Sequence, residues 1–208
     1  MTGKKTVILV AWDNETKALS DSDRQKLADN NIALLYTGIG KNNASNGTND
    51  IVGYYDRVIN IGCAGTHTQE LETYSRVTTF VERDMDWRSF NYAQYQTPEE
   101  KYIFINFDES GNFVNTSMDT PLGLICGSGD NTNGYSETSD LIPAFDAVDM
   151  EAYAMAKVCM NEGIEFHCFK YYTDKAAVET TIDELIERNL RFPWTQIIDE
   201  ILAMDWSE

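Results

Sequence analysis

The chain has 208 residues, and 16 Lys and Arg against 34 Asp and Glu leave it a formal charge of −18. That length suits one generous domain over 1–208 with a real core, and the acidity sets the surface against nucleic-acid phosphates and anionic lipid as partners. No run approaches the ~20 apolar residues of a membrane span.

In chain order, Thr6 to Ala11 (TVILVA) predicts a first core strand. Its apolar run is short and meets Asp13 and Glu15 at once, unlike a signal peptide. The polar segment Thr16 to Asn30 suits a surface helix, and Ile32 to Gly38 a second strand. Lys41 to Asp50, rich in Asn, Gly and Ser, reads as a loop or a poorly favoured helix start. Asp56 to Gly65 (DRVINIGCAG) is a third strand ending in small residues. Strands without intervening helices follow at Tyr74 to Val81, Tyr102 to Phe107 and Leu122 to Asp130. Met150 to Gly163 then carries Ala154, Met155, Val158 and Cys159 on one helical face, and Gly163 suits its end. A strand over Glu165 to Ala177 and two helical stretches, Thr181 to Leu190 and Pro193 to Met204, complete the chain. Alternation at both ends around a β-rich middle predicts an α/β fold with a mixed central sheet and helices on both sides.

Cys63, Cys126, Cys159 and Cys168 lie in apolar segments with no C-x-x-C pair, which predicts free thiols in a reducing cytoplasm. Thr37 to Asn43 (TGIGKNN) lacks the spacer and the hydroxyl residue of a phosphate loop. Asp130 to Glu137 lacks the glycine position and the final glutamate of a calcium loop. With two histidines in the chain and no paired thiols, neither a metal site nor a cofactor is expected.

What remains is a set of turns after predicted strands: Ala11 to Glu15, Gly38 to Lys41, Gly62 to Gly65, and Thr173-Asp174. Ligands of open α/β sheets sit at such strand ends, where small residues let the backbone approach. Asp174 ends an apolar run, a costly place for an acid unless something solvates or uses it. Glu15 and Glu151, at the entry to the Met150–Gly163 helix, are further candidates; a cap or a solvated acid is the plainer reading of each taken singly.

In this order the segments resemble the nucleoside phosphorylase and nucleosidase superfamily, above all its methylthioadenosine/S-adenosylhomocysteine nucleosidases. "VAWDNETKAL" is similar to the family's A-M-x-x-E turn, "LLYTGIGKNNA" to G-I-G-K, and "RVINIGCAG" to I-N-x-G-S-A-G. "ERDMDWRSFNY" resembles its D-x-D segment before a late aromatic, and "GLICGSGD" its S-G-D turn. "VDMEAYAMAKVCMNEGIEF" resembles V-x-M-E-x-x-A-x-A-x-V, and "FKYYTDKA" resembles R-x-I-S-D-x-A. The resemblance covers nearly the whole chain and implies a three-layer αβα sandwich of nucleoside phosphorylase type.

It also implies a purine-type nucleosidase that hydrolyses an N-glycosidic bond. Asp174 would be the general acid toward N7 of the base, Glu15 would activate water, and Met150 and Glu151 would hold the ribose. Cys63, Lys170, Asn131 and Thr132 would also contact substrate. Phosphorolysis is the alternative, but the phosphorylase branch carries arginines where this chain has Asp13 to Glu15 and Asn60. A silent nucleoside-binding relative is a third reading, and the three acids argue against it. Lys170 replaces the family's arginine and Cys63 its serine; Asn131 and Thr132 stand where the family places its base-stacking aromatic, which leaves the base open. Finally, the resemblance implies a homodimer in which Phe90 or Trp87 closes the partner's pocket, and Met85, Trp87, Phe90 and Tyr92 are an apolar load that asks for such cover.

Overall fold

The computed structural model describes residues 4–116, 120–131, 141–142, 144–176 and 178–204. Its order begins β1 (Thr6–Val10), α1 (Asp21–Asp29), β2 (Ile32–Tyr36), α2 (Lys41–Asn49) and β3 (Arg57–Thr66). Next come β4 (Tyr74–Val77), β5 (Thr79–Glu82), β6 (Ile105–Phe107), β7 (Phe113–Val114), β8 (Ile125–Ser128) and β9 (Ala147–Asp149). The chain then runs through α3 (Ala152–Glu162), β10 (Glu165–Lys175), α4 (Ile182–Asn189) and α5 (Trp194–Ala203).

The sheet is mixed, as expected, and it curls. β3 pairs parallel with β10 along one edge for its whole length. Its other edge takes β1 in parallel from Arg57 to Asn60, then β9 in antiparallel at Gly65. One edge therefore forks between two partners, and the gap between β1 and β9 is where side chains can meet a ligand. β4 pairs with β10 while β5 pairs with β8, and only Thr78 separates them. The circuit through β3, β10, β4, β5, β8 and β9 thus closes on itself.

Side chains alternate across the central strands, as the period of a β-strand requires. Val7, Leu9, Val58, Phe166 and Cys168 face one core, which also holds Ala152, Met155 and Cys159 of α3. Ile8, Val10, Ile59, Ile61, Phe169 and Tyr171 face the other, filled by Leu27 of α1 and by Trp194, Ile197, Ile198 and Ile201 of α5. Helices on both faces explain why β1, β3 and β10 are apolar along nearly their full length.

Several elements differ from the sequence expectation. Lys17 to Leu19 is not helical; a short 3-10 turn covers Asp13–Thr16, and α1 starts only after the Ser20 cap, whose hydroxyl accepts from the Asp23 N–H. The Asn-rich stretch after Gly40 is a helix, α2. Its propensity is poor, but it buries Ala44 and Thr48 against α3, and packing outweighs propensity here. The Tyr74–Val81 run is two strands that diverge at Thr78 to serve different neighbours. The strands expected from Tyr102 and Leu122 are shorter, beginning at Ile105 and Ile125. α3 ends at Gly163 in the left-handed conformation, as its glycine suggests.

Candidate active site

The fork in β3 opens into a cavity of ≈ 290 Å³. Its wall collects the residue turns after β1, the end of β3, the β9–α3 junction, and the end of β10. Glu15, Cys63, Asn131, Met150, Glu151 and Asp174 all line it; the turn pattern anticipates Glu15, Cys63 and Asp174. Thr132 lies outside the described residues.

Glu15 is seated first by its own turn and then by β3. Its Oε2 accepts the Trp12 N–H at 3.1 Å and its Oε1 the Cys63 N–H at 2.7 Å. From the far end of the chain, the Trp194 indole N–H donates to the Glu15 carbonyl at 2.7 Å, tying the turn to α5. The side chain is buried, and burial pushes its pKa up; the Cys63 N–H and the Lys170 charge oppose that rise. Gly62 explains the close seating, because a Cβ there would stand 3.0 Å from Glu15 Oε1.

Asp174 reaches the cavity because β10 bulges. Tyr172 pairs with Ala64 and Asp174 with Gly65, so Thr173 is skipped and the next side chain is re-aimed. The Thr173 hydroxyl donates to Asp174 Oδ1 at 2.9 Å. A Cβ on Gly65 would meet Asp174 Oδ2 at 2.8 Å, so the glycine is what lets the carboxyl lie against β3. Burial raises the pKa of Asp174, against the Thr173 hydroxyl and the Arg188 charge.

Glu151 turns toward the second turn of the chain. Its Oε1 accepts the Gly40 N–H at 2.8 Å and its Oε2 the Met150 N–H at 3.3 Å. The Gly40–Lys41 turn is itself pinned, since the Lys41 N–H donates to Asp130 and its ammonium pairs with Glu82 and Asp84. Burial, with the Asp149 charge beside it, pushes the Glu151 pKa up to about 8. A folded-state pKa above the ordinary 4.5 means that the folded protein binds more protons than the unfolded chain between those values, so stability falls as pH rises through that window. Above pH 6.5, where the opposite slope from the buried His167 has ended, the thermal midpoint of the unliganded protein should therefore fall toward pH 8, and Glu151→Gln should flatten that fall. A midpoint that rises over this range, or a slope the substitution leaves alone, would contradict the assignment.

Lys170 does not line the cavity. It lies behind the wall with its ammonium 2.7 Å from Asp149 Oδ2, both side chains 1% exposed. Asp149, which the sequence reading passed over, also accepts from the Ser128 hydroxyl and the Ala152 N–H. Lys170 is thus a support for the acidic wall rather than a direct contact, held charged by Asp149 despite its burial. Breaking a buried pair strands the remaining charge, at about 3 kcal/mol or more. Lys170→Met should accordingly lower the urea midpoint sharply, and adding Asp149→Asn should recover part of the loss; equal midpoints for Lys170→Met and the unaltered protein would refute the pairing.

Trp87 and Phe90 lie away from this cavity. Their rings pack at 5.3 Å and remain 42% and 66% exposed. Residues that the sequence reading missed also line the site. Arg83, inside the quoted "ERDMDWRSFNY" segment, is buried and donates to the Gly129 carbonyl at 3.1 Å, to Asn131 Oδ1 at 3.0 Å, and to the Asn131 carbonyl. Ile39, Ile182 and Leu185 form an apolar rim. The spacing of Ile182 and Leu185 on one helical face was the available signal.

Comparison with known proteins accords with this fold. A family model described as the phosphorylase superfamily matches residues 24–191. A 5'-methylthioadenosine/S-adenosylhomocysteine nucleosidase of Tolumonas auensis is 30% identical over 79% of this chain and 78% of its own length. The enzyme of that name from Bacillus thuringiensis is 28% identical over 82% and 79%. Among solved structures, the Campylobacter jejuni nucleosidase superposes with a TM-score of 0.73 at 20% identity, covering 97% of this chain and 100% of that one. Futalosine hydrolase of Helicobacter pylori superposes with a TM-score of 0.71 at 18% identity, covering 95% and 98%.

Proposed function

The chain belongs to the phosphorylase superfamily, and from that premise we propose how its cleft acids divide one reaction. It is an N-glycosyl hydrolase that acts on nucleosides. The reading of its residues rests on one observation above all: Glu15, Glu151 and Asp174, distant in sequence, line a single cavity at the fork of β3.

A purine anion is a poor leaving group, so the base must be protonated as it departs. Asp174 gives its proton to N7 while the C1′–N9 bond breaks and its electrons pass to the base. The raised pKa of this carboxyl favours the protonated form the step needs. The sugar becomes oxocarbenium-like, and the nearby carboxylates stabilise that charge. Glu15 accepts a proton from water as the new O–C1′ bond forms. Asp174 is left ionised and Glu15 protonated, and exchange with solvent resets both. Glu151 takes the ribose hydroxyls, with Met150 packed beneath the sugar.

Water, not phosphate, suits this cleft. Among the described residues lining it the one cation is Arg83, and its guanidinium already donates to Gly129 and Asn131. Phosphate would need cationic or dense N–H donors and would meet the carboxyls of Glu15, Asp149, Glu151 and Asp174 instead. A panel of purine nucleosides and 5′-substituted nucleosides, with and without phosphate, tests the reading. Free base should appear at the same rate in both arms; release from no member of the panel would remove it.

The whole chain acts as one domain on this reading, since β3 and β10 join its early and late parts. It works as a homodimer in the cytoplasm. The free thiols Cys63, Cys126, Cys159 and Cys168 support a reducing compartment, and no helix of the described residues is long and apolar enough to cross a membrane. The exposed Trp87–Phe90 pair supports the dimer, with these rings closing the partner's cavity. Sedimentation should give a dimer, and Trp87→Glu should give monomers with a raised KM. A fully active monomer at micromolar concentration would refute the dimer.

A further inference from the structure

Thr173, the residue skipped where β10 bulges, has a carbonyl that accepts from a side chain. A buried carbonyl needs a donor, and here it comes from outside the sheet: Arg188 Nη1 on α4 donates to Thr173 O. The same residue that receives this bond gives the next one, from its hydroxyl to Asp174 Oδ1 at 2.9 Å and to the Ala64 carbonyl at 3.4 Å. On the other side of the acid, the Lys175 ammonium donates to the Gln69 carbonyl at 2.6 Å. Asp174 therefore sits between two clamps, and the one on its N-terminal side is carried by α4. That helix also sends Ile182 and Leu185 into the rim of the cavity, so the element that walls the substrate also holds the acid.

We propose that Arg188 is a positioning residue for Asp174, holding the Thr173 bulge in the shape that delivers the carboxyl to the cleft. The proposal rests on the reading of Asp174 as the general acid. Arg188 is not among the residues lining the cavity; it acts through the Thr173 carbonyl, and its charge acts on Asp174 across the same gap. The other charged groups around the acid are Glu15, Asp149, Glu151 and Arg83 in the cavity wall and Lys175 beyond it. On α4 itself, Glu184 caps the Thr181 end and Glu187 pairs with Arg191.

The sign of the pH effect follows. A cation near a carboxyl favours its ionised form, and the acid works only while protonated. Removing Arg188 raises the pH at which Asp174 loses its proton, so the alkaline limb of kcat moves upward while the plateau drops.

The test is the pH profile of kcat and KM on a cleaved nucleoside for Arg188→Met and Arg188→Lys. Arg188→Met should lose about tenfold in kcat, as a small misplacement of a reacting group does, with KM little changed and the alkaline limb displaced upward. Arg188→Lys should restore the limb and much of the plateau, which also guards against a variant that fails to fold. An unmoved limb with unaltered kcat in Arg188→Met, or a loss that Arg188→Lys does not relieve, would overturn the proposal. Asp174→Asn run alongside separates the two ideas: if it retains activity the acid reading fails, whereas an inactive Asp174→Asn beside an unaffected Arg188→Met removes only the role of Arg188.

Discussion

Asp174→Asn should lower kcat by about 10²–10⁴-fold, the range that general acid catalysis contributes, while the protein remains folded. The amide matches the carboxyl in size, so Gly65, whose absent Cβ gives Asp174 Oδ2 its room, accommodates it. The Thr173 hydroxyl can still donate to the amide oxygen, which preserves the local geometry. What the amide lacks is a transferable proton. The effect should accordingly fall on kcat, with KM and thermal midpoint near their original values. Because burial disfavours the charged form of Asp174, removing it should not destabilise the fold. A loss of less than about tenfold in steady-state turnover would place the acid elsewhere.

Glu15→Gln should cost a similar factor in turnover, about 10²-fold or more, for a different reason. Both carboxylate oxygens accept backbone N–H groups, from Trp12 and from Cys63. A glutamine supplies one acceptor oxygen and one NH₂, so one of those N–H groups would face another donor. The substitution removes the base and also loosens the turn that holds it. Nucleoside binding, which the proposed reading assigns to Glu151 and Met150, should survive. Equilibrium binding of a nucleoside together with single-turnover rates separates the two effects. Collapsed binding with normal residual chemistry would take Glu15 out of water activation.

These two acids were legible in the sequence because each follows an apolar strand, and the small residues of the Gly62–Gly65 stretch leave room for both carboxyls. α3 was legible too, from its apolar face and terminal glycine. The Asn-rich α2 was not, because its local preferences oppose the helix that packing on α3 imposes. The bulge at Thr173 leaves no trace in composition, although it decides where Asp174 points. The Lys170–Asp149 pair and the Trp194 bond to the Glu15 carbonyl join residues from different elements, and pairings of that kind become visible only once the sheet has assembled. Lys170 was therefore read as a substrate contact, whereas its ammonium pairs with Asp149 outside the lining of the cavity. Arg83 was hidden in plain sight, within a segment noticed for its aromatics.

The most direct test of the whole account is the sugar product in phosphate-free buffer. With a nucleoside that the protein cleaves, free base and reducing sugar should appear in equal amounts, at a rate that added phosphate does not change. Base release that requires phosphate and yields a non-reducing sugar phosphate would contradict hydrolysis at this cleft.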